Sequence, residues 1–209
     1  MTVDKQVQAG RLMILPPRLS PPIVWPKWKA PLGSKRQSPE QPQVWPGMQV
    51  LVIGSARASF VAKAAERTAP DGKVIVLSPD HEAVGRMEKH LAPLEFDHLV
   101  LETASPGRMP LSDHSVDRAF LVTGFRAIPD LGRTLAEVHR VVRGEGQLVV
   151  HRRFLLARFL PLQRVVRLCL DAGFDPIASQ GTLLHLTLMF EKRHNQDPAQ
   201  GGQVDLPRL

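Results

Sequence analysis

Residues able to do chemistry are scattered along this 209-residue chain. The eight histidines, His81, His90, His98, His114, His139, His151, His185 and His194, stand apart, and none makes a close pair at metal-ligand spacing with a carboxylate beside it. Metal ions need several such groups converging on one point, so no metal site is expected. Cys169 is the sole cysteine. One thiol builds neither an intrachain disulfide nor a cysteine-ligated zinc site, and its apolar helical surroundings mark it as core. Residues 54–59 (GSARAS) lack the Gly-x-Ser-x-Gly spacing of a nucleophile elbow. Two features remain. Gly54 follows an apolar run where a tight turn is needed. Asp80 stands just ahead of a helical pattern, where its carboxylate would cap the first turn.

The elements that must position these residues alternate in type. Residues 50–53 (VLVI) form a short continuous apolar run, as expected of a central parallel strand. The alanine-rich stretch 58–68 reads as a helix with Phe60, Ala64 and Ala65 on one face, Asp71-Gly72 as a turn, and 74–77 (VIVL) as a second strand. A helix capped by Asp80 runs to about Leu91, and 98–101 is a third strand. The alternation then repeats: strand 117–122, helix 132–142, strand 146–150, and an amphipathic helix 161–172 stopped at Gly173. Two strands follow, near 176–179 and 183–191. Strands alternating with helices at this spacing predict an α/β fold, an open and mostly parallel sheet covered on both faces.

The order and wording of these segments resemble the class I S-adenosylmethionine-dependent methyltransferases, especially the small "type 11" group. PGMQVLVIGSARASFVAKAAERTAPDGKVIVLSPD resembles that family's first strand, glycine loop, helix and second strand. MPLSDHSVDRAFLVTGFRAIPD resembles the approach to strand four and the loop after it. LAEVHRVVRGEGQLVV resembles the turn before strand five, and LCLDAGFDP the late helix with its Ala-Gly-Phe stop. The likeness covers residues 47–192 or so. It implies a doubly wound, Rossmann-like sheet of seven strands and S-adenosylmethionine as cofactor. By the same resemblance the cofactor-binding positions are Gly54, Ser55, Ala56, Ser78, Asp80 and Ser105, at the carboxyl ends of the strands. It implies no catalytic residue at a matching position.

The chain departs from the family's pattern at those positions. An acidic residue and three spaced glycines ordinarily let the backbone approach the methionine part of the cofactor; here Val52 stands for the acid, Ala56 and Ala58 for the later glycines, and Arg57 intrudes. Arginine has the wrong sign for a ligand bearing an ammonium and a sulfonium. Ser78 stands where a carboxylate would accept both ribose hydroxyls, and Ser105 where an acid would meet the adenine amino group. After strand four no histidine remains, and Arg126 is no general base. These departures predict a methyltransferase-fold protein with an eroded pocket, acting as a binding or assembly subunit of a larger complex. The alternatives are an active methyltransferase using Asp80 or Glu102 in place of the missing acids, and an RNA- or ribosome-associated accessory protein.

Charge supports a binding role. Residues 1–46 carry seven Lys/Arg against two acids, leaving twenty bases against eighteen acids elsewhere, so much of the net charge of +7 belongs to an N-terminal arm. The arm also holds nine of the nineteen prolines and all three tryptophans, Trp25, Trp28 and Trp45. Proline at this density favours extended backbone. The organisation expected is an arm over 1–46, a domain over 47–193 and a disordered tail over 194–209. The arm's partner is expected to be a protein or larger complex, with nucleic acid or an anionic membrane surface as alternatives. Arg152, Arg153, Arg158, Arg164 and Arg167 read as the solvated side of core-packing helices. No apolar run is long enough for a membrane-spanning helix and no secretory signal is visible, so a cytoplasmic location is expected.

Overall fold

In the computed structural model, residues 42–54, 56–122, 128, 130–153, 162–181 and 185–193 are described. The continuous apolar run at residues 50–53 becomes an inner strand of the sheet. Strand β1 (Gln49–Gly54) lies between β2 (Lys73–Ser78) and β4 (Val116–Val122), parallel to both. With β3 (Leu99–Thr103), β5 (Val142–Arg153), β6 (Phe174–Gly181) and β7 (His185–Lys192) the order is β3-β2-β1-β4-β5-β7-β6. Only β7 runs antiparallel to its neighbours β5 and β6. This is the mostly parallel seven-stranded sheet expected from the sequence.

Burial on both faces explains why the inner strands lack polar alternation. Val50, Val52, Val74, Val76, Phe120 and Val149 point to one face and join Phe60, Val61, Ala64 and Ala65 of α1 (Ala58–Thr68) and Met87 and Leu91 of α2 (His81–Leu91) in one core. Their neighbours in sequence, Leu51, Ile53, Leu77, Leu121, Leu148 and Val150, are fully buried on the opposite face. There α3 (Leu131–Val141) and α4 (Leu162–Asp171) pack on each other, burying Leu135, Val138, Val165, Val166 and Cys169. Burial pushes the Cys169 thiol up to about 12, as befits an inert core cysteine. Arg164 and Arg167 lie on the exposed side of α4 as expected, Arg167 pairing with Asp171, whereas Arg152 and Arg153 belong to strand β5 and not to a helix, and Arg158 lies outside the described residues.

Helix starts follow local chemistry. The Asp80 carboxylate accepts from the Ala83 N–H at 3.1 Å and the Asp130 carboxylate from the Arg133 N–H at 2.9 Å, each capping a first turn. The expected helices differ from the observed ones by at most a residue or so. A short 3-10 turn at Ala92–Leu94 was not expected. The packed structure also begins ahead of the compositional break at Pro46-Gly47. Val44 is buried in the α1/α2 core, and the carbonyls of Pro42 and Gln43 accept from Arg67 and Arg118. Residues 1–41 and 194–209 lie outside the described residues.

Candidate functional site

At the carboxyl edge of the parallel strands, sheet register sets Gly54 beside Val122, Val122 beside His151, and His151 beside Thr187. Gly54 has φ +95°, and a Cβ there would stand 2.6 Å from the Val122 carbonyl oxygen. Glycine is therefore demanded by the close approach of β4, whatever binds nearby.

Beyond Gly54 the chain turns into α1 without a side-chain cap, and a cleft of about 460 Å³ opens between the start of that helix and α2. One wall is apolar: Val76 and Leu101 from the strands, Val84 and Met87 from α2. The other is polar, with Arg57, Arg86, His90 and Asp80. The polar groups at the end of β2 are already engaged. Buried Ser78 turns its Oγ to accept from the Asp80 N–H at 3.2 Å. Asp80 holds the cap of α2, and its second oxygen lies 3.9 Å from Arg86, which also reaches Glu82 at 3.3 Å.

Of the positions singled out from the sequence, Gly54, Ala56, Ser78 and Asp80 line this cleft together with Arg57 and Ala58. Ser105 does not. It is exposed, and its carbonyl accepts from the Arg108 N–H at 3.0 Å. Val52 is wholly buried against α1, and Glu102 sits half-buried on β3 opposite Leu77, away from the lining. Ser55 and residues 123–127, including Arg126, lie outside the described residues. Arg86 and His90 were not anticipated. With Ala83 and Met87 they fall at helical spacing on one face of α2, a signal that the sequence does contain.

His151 was read only as one scattered histidine. Its ring stacks on Phe120 at 5.8 Å between centroids and meets Phe60 edge-on at 5.6 Å. Nδ1 lies 2.9 Å from Thr187 Oγ1, while Nε2 is buried with no partner among the described residues. Burial holds this imidazole down to about 4, so it is neutral at pH 7.

The profile of a family described as a methyltransferase domain matches residues 51–150. A demethylmenaquinone methyltransferase of Symbiobacterium thermophilum is 27% identical over 127 residues, covering 60% of this chain and 48% of that protein. The chain spans about half the length of the curated relatives it matches. Among solved structures, a SAM-dependent methyltransferase from Aquifex aeolicus superposes with a TM-score of 0.61 at 19% identity, covering 70% of this chain and 83% of that one. The [4+2]-cyclase SpnF superposes with a TM-score of 0.62 at 11% identity, covering 72% and 76%. At these identities the structural likeness concerns the fold alone.

Proposed function

We infer that the chain is a member of the class I S-adenosylmethionine-dependent methyltransferase family, and from that premise we propose that its cofactor cleft is kept in shape but not in binding chemistry. In this reading the protein is a pseudo-methyltransferase that works as a binding or assembly subunit of a larger complex.

The observation that carries the reading is the state of the β2 end. The apolar wall of Val76, Leu101 and Met87 and the size of the cleft suit an adenosine. The polar anchors do not suit the rest of the cofactor. Ser78 carries no charge and has its oxygen engaged by Asp80, and Asp80 caps α2 beside Arg86. Arg57 lines the wall near which the cofactor's cationic methionine end would lie. A hydrogen bond to a charged group contributes roughly 1.5–3 kcal/mol, so two lost carboxylate contacts weaken binding by about 10²–10⁴-fold. The likeness to a [4+2]-cyclase is in keeping with this fold carrying more than one activity.

Calorimetric titration with S-adenosylmethionine and its demethylated product tests the reading, with dissociation constants above about 1 mM expected for both. Micromolar binding overturns it and favours the second reading, an active methyltransferase. That reading has one observation behind it: the Asp80 carboxylate lines the cleft at the end of β2. If it holds, Asp80→Asn abolishes cofactor binding and methyl transfer together.

The partner is assigned in this proposal to the basic, tryptophan-bearing arm: another protein first, with RNA or an anionic membrane surface as alternatives. No helix among the described residues is long and apolar enough to cross a membrane. Because Val44 is part of the core, the deletion that tests the arm removes residues 1–41 and spares 42–46. Loss of co-purifying partners on that deletion supports the assignment, and unchanged association refutes it.

A further inference from the structure

A second cavity, of about 500 Å³, lies at the opposite end of the sheet, where β1, β4 and β5 begin. Met48, Asp117, Arg118, Arg143, Glu145 and Gln147 line it. The side chain that sets its character is Arg118, only 5% exposed. Its NH1 donates to the Gln43 carbonyl and its NH2 to Gln147 Oε1, while its Nε is buried with no partner among the described residues. The ring of Trp45, itself 54% exposed, lies over the guanidinium at 4.9 Å.

Every one of these partners is neutral. The nearest acid in sequence, Asp117, is engaged elsewhere, by Arg143 and by the Gln49 N–H at 2.7 Å. Glu145 is exposed. Burial pushes the Arg118 guanidinium down to about 10, and no carboxylate among the described residues counters it. A buried cation without a counter-ion is strongly unfavourable, and proteins ordinarily pair or neutralise it. Here it borders a cavity, with part of its donor fork unused and an aromatic face against it.

We propose that this cavity is a binding site for the oxyanion of a small molecule, a phosphate or carboxylate group that docks on Arg118 beside Trp45. The planar guanidinium fork matches the two oxygens of such a group, and exclusion of water strengthens the contact. The Arg143–Asp117 pair beside it keeps the neighbouring acid from repelling the ligand. The site is independent of how the cleft at the other end of the sheet is read.

The full chain is titrated with inorganic phosphate and, separately, with acetate, followed by tryptophan fluorescence and calorimetry; the two arms separate a phosphate ligand from a carboxylate one. Saturable binding of at least one anion is expected, with a fluorescence change that disappears in Trp45→Phe while the heat persists. Arg118→Gln is expected to weaken binding by about tenfold or more. Where that variant fails to fold, Gln147→Glu serves instead. It sets a carboxylate against the guanidinium from inside the protein, and is expected to weaken anion binding by about tenfold or more while raising the thermal midpoint. Absence of saturable binding of either anion to the unmodified chain overturns the proposal, as does binding unchanged by Gln147→Glu.

Discussion

At the carboxyl end of the parallel strands, three charged groups near the cleft satisfy one another: Asp80 caps α2 and faces Arg86, and Arg86 reaches Glu82. At the amino end, Arg118 is buried among neutral partners while Asp117 beside it serves Arg143. Both ends belong to one sheet and share strands β1 and β4. The contrast teaches that a cleft in the expected place is not by itself evidence of a ligand. Unmet demand of a charged group is a sharper guide, and among the described residues it is greater at the end where the family resemblance does not point.

The largest effect that would sharpen this contrast is at Gly54. Gly54→Val is expected to destabilise the fold by about 4 kcal/mol, since it adds a left-handed backbone strain to a clash with the Val122 carbonyl. Urea unfolding measures it. A loss below about 1 kcal/mol would mean that the glycine is not demanded by the sheet, returning it to a ligand role.

Next is the buried imidazole of His151 at the same end. Its folded value of about 4 lies below its ordinary 6.5, so the unfolded chain binds the proton more readily. Its contribution is complete above pH 6.5, falls away between 6.5 and 4, and is level below that, a total of about 3 kcal/mol. His139, also held below its ordinary range by burial, acts in the same sense. Comparing urea midpoints at pH 7 and pH 4 in the wild type and in His151→Phe isolates the share; an equal slope in both would assign it elsewhere.

Two smaller effects bear on the charges themselves. Gln147→Glu is expected to stabilise the amino end by about 1–2 kcal/mol, because it gives Arg118 a counter-ion in a side chain of nearly the same size and position. A destabilisation would show that the neutral partners already suffice. Asp80→Ala is expected to cost about 1 kcal/mol through the lost cap, read from thermal unfolding against Asp130→Ala, the matching cap of α3. A much smaller loss at Asp80 alone would show that its carboxylate is held for a ligand and not for the helix.

Strand and helix identities were legible because each rests on local information. The run around Val50–Ile53 was apolar enough to require burial on both faces, and Asp80 precedes its helix at capping distance, whereas the matching cap at Asp130 came from the structure. The cleft was half legible. Gly54, Ala56, Ser78 and Asp80 follow from aligned strand ends, whereas Ser105 faces solvent, because the turn after β3 is held by its own backbone bond to Arg108 and not by the cleft. Arg86 and His90 carry a helical spacing that points to one face of α2, but only the neighbouring wall shows that this face lines a cleft.

By itself the sequence determined the order of elements and the mostly parallel sheet they form, since hydrophobic periodicity and local capping act over a few residues. Only the tertiary structure decided that the buried Arg118 meets Gln43, Trp45 and Gln147 and, among the described residues, no carboxylate. It likewise decided that His151 is enclosed by Phe60 and Phe120. Desolvation and charge pairing depend on atoms brought together from distant parts of the chain, and no spacing along the chain records them.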